Sequence, residues 1–278
     1  MAHSVAALLQ ASDLPTIEAQ MLLEHATGWS RTALISYPER NVETKRALLA
    51  QSLFARRRFG EPVAYLTGTR EFYGLMFEVS PAVLIPRPET ELLVDLTLAR
   101  LKKNPAASVL DLGTGSGAVA VTIAKLCDTA QVTGVEKSKA ALVIARKNAD
   151  AIIAKEFNNQ LQLILGDWYR PVGKAKFDII VSNPPYIADA DADAHVSQGD
   201  LRHEPIQALT AGSDGLDAIR KIIDGAPEHL NSGGWLLIEH GYDQEQACAA
   251  LLKQAGFNPI FCEKDLAGIP RVSGGQRK

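Results

Sequence analysis

From Ser108 onward the chain alternates short apolar runs with longer amphipathic ones, and this alternation limits the fold more than any other feature. Strands are expected at 108–112, 131–135, 160–165, 177–182, 234–239 and near 258–263. Helices are expected between them, at 117–126, 138–155, 217–228 and 243–255. Strands separated by helices pair in parallel, so the pattern predicts an α/β fold with a doubly wound, mostly parallel sheet. Such sheets take their ligands at the carboxyl ends of the strands. The residues that follow each apolar run are therefore the ones to read for chemistry.

The region before Ser108 has a different character. Residues 1–70 read as a small helical bundle. Ile17, Met21, Leu22 and Leu23 recur at helical spacing between Pro15 and Gly28, and a second segment from Thr44 carries Leu48, Leu49, Leu53 and Phe54 before Gly60. Arg56-Arg57-Arg58 closes that second segment, where three cations suit a helix C-terminus and equally form a patch for an acidic partner. Residues 71–88 are expected to be a β-hairpin linker, with runs at 72–79 and 82–85 around Ser80-Pro81. Residues 89–278 then form the α/β domain, starting with a helix that follows Pro86 and Pro88.

Composition excludes several classes. Of 278 residues 46% are hydrophobic and 22% charged, with a formal net charge of −3. That balance argues against a protein that coats nucleic acid through a broad basic field. No apolar run is long enough to span a membrane. Cys127, Cys248 and Cys262 are widely spaced and read as reduced thiols of a cytoplasmic protein; the scattered histidines predict no metal.

Four successive strand ends carry polar chemistry. Asp111-Leu112-Gly113-Thr114-Gly115-Ser116-Gly117 closes the first strand and opens a helix. This Gly-x-Gly-x-Gly departs from the dinucleotide fingerprint, and by itself leaves nicotinamide and S-adenosylmethionine both open. It does let a ligand approach the backbone closely, with Asp111 as an acidic neighbour for a cation. Glu136 ends the second strand about 20 residues on, the spacing at which a carboxylate reaches ribose hydroxyls. After the third strand, Asp167 is placed to accept from an adenine amine and Trp168 to stack on the purine. After the fourth stand Asn183-Pro184-Pro185-Tyr186. An Asn side-chain oxygen accepts one N–H of a planar, weakly nucleophilic nitrogen, and a backbone carbonyl accepts the other. The prolines remove competing N–H donors, and Tyr186 is expected to supply a flat wall. The acceptor Asn183 is expected to touch the cofactor as well.

Two segments resist this reading. Residues 187–215 are irregular, with the acidic run 188–194 expected as a solvated loop and the whole as a possible lid. Gly274-Gly275-Gln276 is expected to be a flexible polar terminus.

Over nearly its whole length the chain resembles the release factor glutamine methyltransferases, within the class I S-adenosylmethionine-dependent enzymes. The residues that carry the resemblance are Gly60-Glu61-Pro62, Tyr65 to Gly68, Arg70 to Gly74, Leu84-Ile85-Pro86-Arg87-Pro88-Glu89-Thr90-Glu91, the glycine loop, Asn183 to Tyr186, and Asp265 to Val272. It implies a Rossmann-like methyltransferase sheet and methylation of the amide nitrogen of the glutamine in a release factor's Gly-Gly-Gln loop. Asp111, Gly113, Thr114, Gly115, Ser116, Gly117, Glu136, Asp167, Trp168 and Asn183 would hold S-adenosylmethionine. Asn183, Pro184, Pro185, Tyr186 and Arg87 would hold the substrate glutamine, with Asn183, Pro184 and Tyr186 serving catalysis. Class I release factors are the expected partners of a monomer that binds neither membrane nor nucleic acid. Methylation of a ribosomal-protein glutamine, methylation of adenine N6, and a non-catalytic adaptor are the rival readings. The tail departs from the family's Arg-Val-x-x-Gly-Arg, since Arg271-Val272 runs into Ser273-Gly274-Gly275-Gln276.

Overall fold

A computed structural model describes residues 3–153, 160–191 and 199–278. The chain divides into two compact units, Met1–Thr69 with Gln198–His203 and Arg70–Ser197 with Glu204–Lys278.

The smaller unit is helical, with α1 (Val5–Gln10), α2 (Thr16–Thr27), α3 (Arg31–Ser36), α4 (Thr44–Arg58) and α5 (Val63–Thr67). Its ends are made as capping chemistry dictates. The Ser4 and Ser30 hydroxyls accept from Ala7 N and Ala33 N, and Gly28 closes α2 at φ +69°, its N–H on Glu24 O. Leu22, Leu23, Ala47, Ala50, Leu53 and Phe54 form the core between α2 and α4. Leu48 and Leu49 instead lie 58% and 45% exposed, as do Ile17 at 58% and Met21 at 42%. The small alanines let the two helices approach, so the inner face of α4 is Ala47/Ala50 and not the leucine pair. The arginine run is only partly free for an external partner. Arg57 is held by Glu18 at 2.7 Å and Asp200 at 2.6 Å, and Arg56 by Glu61.

The larger unit begins with the hairpin β1 (Thr69–Phe72) and β2 (Leu75–Glu78), turning at Tyr73-Gly74. The expected second run at 82–85 is not a strand. Gly74 at φ +73° and Tyr73 at φ +55° make the turn, in place of Ser80-Pro81. A 3-10 turn at Pro88–Thr90 leads into α6 (Glu91–Leu101).

Next come β3 (Ser108–Leu112), α7 (Ala118–Leu126), β4 (Gln131–Glu136), α8 (Lys139–Ile152), β5 (Leu161–Leu165) and β6 (Phe177–Ser182). They are followed by α9 (Asp217–His229), β7 (Leu230–Glu239), α10 (Glu245–Gln254), β8 (Ile260–Lys264) and β9 (Pro270–Gln276). The described strands form a seven-stranded sheet of order β5-β4-β3-β6-β7-β9-β8. Strands β3 to β7 pair in parallel, while β9 runs antiparallel to both β7 and β8. Both faces are covered. Val109, Ile179 and Val181 face the cluster shared with α6, α7 and α8, and Leu110, Leu112 and Ile180 face that of α9 and α10. Double burial is why these strands read as continuous apolar runs.

The tail corrects the sequence reading. Gly274-Gly275-Gln276 is not a flexible terminus but the end of β9, inserted between β7 and β8, with both glycines buried. A Cβ on Gly274 would stand 2.4 Å from Leu236 O, and one on Gly275 2.6 Å from the Phe257 Cβ. Glycine is there for close packing, and the Gln276 amide is already bonded to Gly233 O at 2.8 Å. The acidic run 188–194 falls in part outside the described residues.

Candidate active site

The strand order reverses between β3 and β6, so the carboxyl ends of these two strands open the switch-point crevice of the sheet. A cleft of about 390 Å³ lies there. That is within the range of small-molecule sites.

One half of the cleft is built mostly from backbone. Gly113 N and Thr114 N donate to Val135 O at 2.9 and 3.0 Å, which folds the glycine loop across the end of β4. Gly113, Gly115 and Gly117 have φ of +75°, +57° and +84°, a conformation that side chains resist. The Glu136 carboxylate accepts from Gly115 N at 2.8 Å through one oxygen and from Ser138 N at 2.7 Å through the other. Each oxygen keeps a further lone pair, so the carboxylate is fixed in place yet can still accept from a diol. Asp111 is buried and accepts from Thr114 Oγ1 at 2.6 Å. Burial pushes its carboxyl up to about 7, against the pull of the hydrogen bonds from Thr114 and the Ala120 backbone. Trp168 stands at φ +51°, an unusual conformation for a bulky side chain, with its ring about 3.6 Å from where a Gly113 Cβ would lie. Asp167 lines the cleft near Lys137 at 3.6 Å and Arg170 at 3.8 Å.

The other half is built from side chains. Ser182 donates to Leu112 O at 2.6 Å and ties the two switch-point strands. Asn183 lines the cleft, and its Nδ2 donates to Thr90 Oγ1 at 2.9 Å. Arg87 also lines the cleft and pairs with Glu204, a fully buried carboxylate that in addition accepts from Ile85 N at 2.9 Å.

Most of the residues expected at the site therefore meet in one cleft: Arg87, Asp111, Gly113 to Ser116, Glu136, Asp167, Trp168, Asn183 and Pro185. Three stand off its lining. Gly117 caps α7, packed close enough to Val121 and Ala145 that a Cβ would meet them at 3.0 and 3.3 Å. Pro184 is buried. Tyr186 is partly buried and packs against the core cluster beneath α9 and α10, near the buried Glu239. Four contributors were missed by sequence reading. Asn148 of α8 bonds Glu78 N, Glu78 O and Ser116 O at 2.6, 3.0 and 2.8 Å, pinning the glycine loop to the hairpin. Thr90 and Glu204 carried no local signal. Glu239 ends β7, and the strand-end rule that selected Glu136 selects it as well.

Known proteins resemble this chain in sequence and in fold. Residues 90–213 match the Methyltransferase small domain family and residues 1–68 the PrmC N-terminal domain family. The chain is 48% identical to the release factor glutamine methyltransferase of Bordetella pertussis, over 96% of this chain and 97% of that one. It is 40% identical to that of Escherichia coli, over 96% of this chain and 94% of that one. The chain belongs to the release factor glutamine methyltransferase family. Among solved structures, a T. thermophilus 16S rRNA N2 G1207 methyltransferase in complex with AdoMet and guanosine superposes with a TM-score of 0.55. It is 23% identical and covers 76% of this chain and 50% of that one. The hMettl16 catalytic domain gives 0.57 at 15% identity, covering 85% and 84%. These two likenesses concern the fold. This chain is an S-adenosylmethionine-dependent methyltransferase.

Proposed function

We propose that this protein transfers a methyl group to the side-chain amide nitrogen, N5, of the glutamine in the Gly-Gly-Gln loop of class I peptide-chain release factors. The observation that carries the reading is Asn183 in the same cleft as Glu136 and the glycine loop, in a chain related along its length to release factor glutamine methyltransferases.

The donor set fits S-adenosylmethionine. Glu136 retains acceptor capacity for the ribose diol, the glycine backbone leaves room for a close approach, and Trp168 offers an indole face. Asp111, Glu136 and Asp167 bring carboxyl groups suited to a cationic sulfonium into a lining that also holds Arg87, Lys137 and Lys221. When bound, S-adenosylmethionine supplies an electrophilic methyl on that sulfonium. The glutamine amide is a poor nucleophile whose lone pair is delocalised into its carbonyl. Asn183 Oδ1 accepts one of its N–H bonds and a backbone carbonyl of the same loop accepts the other, which aims the nitrogen and favours a more localised lone pair. The bound group would supply that methyl by direct displacement, its S–C bond exchanged for the new N–C bond, and the methylated nitrogen would give up one proton to water. No strong base is required. Orientation of two bound reactants is worth roughly 7 kcal/mol or more in such a displacement.

The helical unit is assigned recognition of the release factor outside the loop, supported by the exposed apolar side chains Ile17, Met21, Leu48 and Leu49. The test is methyl transfer from labelled S-adenosylmethionine to a release factor, to a copy with the Gly-Gly-Gln glutamine replaced, and to a Gly-Gly-Gln peptide. Label on the first and third but not the second is expected. Label on the replaced copy, or on ribosomes or DNA instead, overturns the assignment. Serine at Met21 and Leu48 should raise KM severalfold for the whole factor and leave the peptide unaffected; equal kinetics on both would remove the helical unit from recognition.

A further inference from the structure

An asparagine side chain has two ends of nearly the same shape and opposite polarity. Facing the cleft with its oxygen, Asn183 accepts from the incoming amide; facing it with its NH2, it opposes one donor with another. Something must set the choice, and within reach lies Thr90. Its side chain is buried, and Asn183 Nδ2 lies 2.9 Å from its hydroxyl oxygen. A hydroxyl has a single proton. If that proton is committed elsewhere, the Thr90 oxygen can only accept, and the group it accepts from must be the NH2 end of Asn183.

A buried acceptor for that proton stands beside it. Glu239 ends β7 beside Asn183, since Ser182 pairs with Ile238 in the parallel register of β6 and β7. Its side chain is 1% exposed. The Thr90 and Tyr186 hydroxyls lie close enough to its carboxyl to favour the charged form, while Oε2 makes no hydrogen bond. A carboxylate kept buried with an oxygen unsatisfied is costly, and a structure that retains one invites a functional reason. Apart from these hydroxyls, the groups that bear on it electrostatically are Arg271 of β9, which favours its charge, and Glu89 of the 3-10 turn, which opposes it.

We infer that Glu239 and Thr90 are positioning residues for methyl transfer: the Glu239 carboxylate takes the Thr90 proton, Thr90 accepts from Asn183 Nδ2, and Asn183 Oδ1 is thereby turned to the substrate nitrogen. The relay has one direction because an ionised carboxylate accepts and never donates. A protonated Glu239 can donate to Thr90, which frees the Thr90 proton for Asn183 Oδ1 and turns the amide the wrong way round. Burial raises the Glu239 carboxyl to about 7, so the reversal falls within an accessible pH range. This rests on the methyl-acceptor reading of Asn183 above.

The experiment compares kcat on a release factor at saturating S-adenosylmethionine for wild type, Glu239→Gln, Thr90→Val and Thr90→Ser, from pH 6 to 9. Calorimetric S-adenosylmethionine affinity and thermal melts are measured alongside. Wild-type kcat should fall on the acidic side of about pH 7. Glu239→Gln, whose amide donates as readily as it accepts, should lose roughly tenfold or more in kcat and lose that acidic limb. Thr90→Val should lose a similar amount, and Thr90→Ser should restore it. Cofactor affinity should stay within about twofold in all of them. Wild-type kcat and an unchanged acidic limb in Glu239→Gln would overturn the relay, as would a Thr90→Ser variant no better than Thr90→Val at equal melting temperature. A wild type that fails to label the release factor at all overturns the functional reading instead.

Discussion

The two halves of the cleft are built on opposite plans. At the ends of β3, β4 and β5 the ligand-facing surface is mostly backbone, shaped by glycines at positive φ and held by Glu136 on two N–H groups. In the half beside the ends of β6 and β7 the surface is side chains, and two of them depend on partners far away in the chain: Asn183 on Thr90 and Arg87 on Glu204. A backbone-built half tolerates any ligand of the right shape and charge, which suits a donor whose binding is separate from the reaction. A side-chain-built half sets the polarity of single hydrogen bonds, which suits an acceptor nitrogen that must be aimed.

The contrast breaks most visibly in paired substitutions. Asn183→Ala should lower kcat by roughly a hundredfold or more, the scale of losing one aligned polar contact to the reacting group, with S-adenosylmethionine affinity changed less than about threefold. Glu136→Ala should do the reverse, raising the S-adenosylmethionine Kd by roughly tenfold or more with a smaller effect on kcat at saturation. Calorimetry with steady-state kinetics separates the two. If Asn183→Ala loses cofactor binding as steeply as turnover, the halves are not independent.

A smaller effect sharpens the comparison from the cofactor side. Asp111 is buried with its folded-state pKa raised to about 7. A raised carboxyl pKa means that the folded state holds the proton more tightly than the unfolded chain. The associated stability is present below the unfolded value near 4 and is lost as pH rises through about 7. Asp111→Asn removes that loss. Urea midpoints should thus show the variant gaining on wild type between pH 5 and 8.5, by on the order of 1–4 kcal/mol at the alkaline end, while binding S-adenosylmethionine more weakly. A stability difference that is constant across pH would mean that Asp111 is neutralised by contacts other than its own proton.

Legibility follows the same division. The glycine loop, Glu136 and Asp167-Trp168 each sit in a contiguous segment behind an apolar run, so local pattern was enough to place them. The strands of the parallel half were also legible, because burial on both faces leaves an unbroken apolar signature. The leucines of α4 misled, since Leu48 and Leu49 resemble a core face that the alanines in fact supply. The hairpin turn was misplaced because Tyr73 at positive φ gives no composition signal, whereas Ser80-Pro81 does.

What the sequence determined by itself is the alternating α/β order, the position of each strand end, and the residue types offered there. Those follow from periodicity and chain stiffness, which act between near neighbours. Only the tertiary structure decided that Gly274-Gly275-Gln276 is an inner strand, that Tyr186 packs against the core cluster beneath α9 and α10, and that Thr90 and Glu239 stand behind Asn183. Each of these depends on which strands become neighbours in the sheet. That pairing is set by the burial of whole faces at once, and no stretch of chain carries it alone.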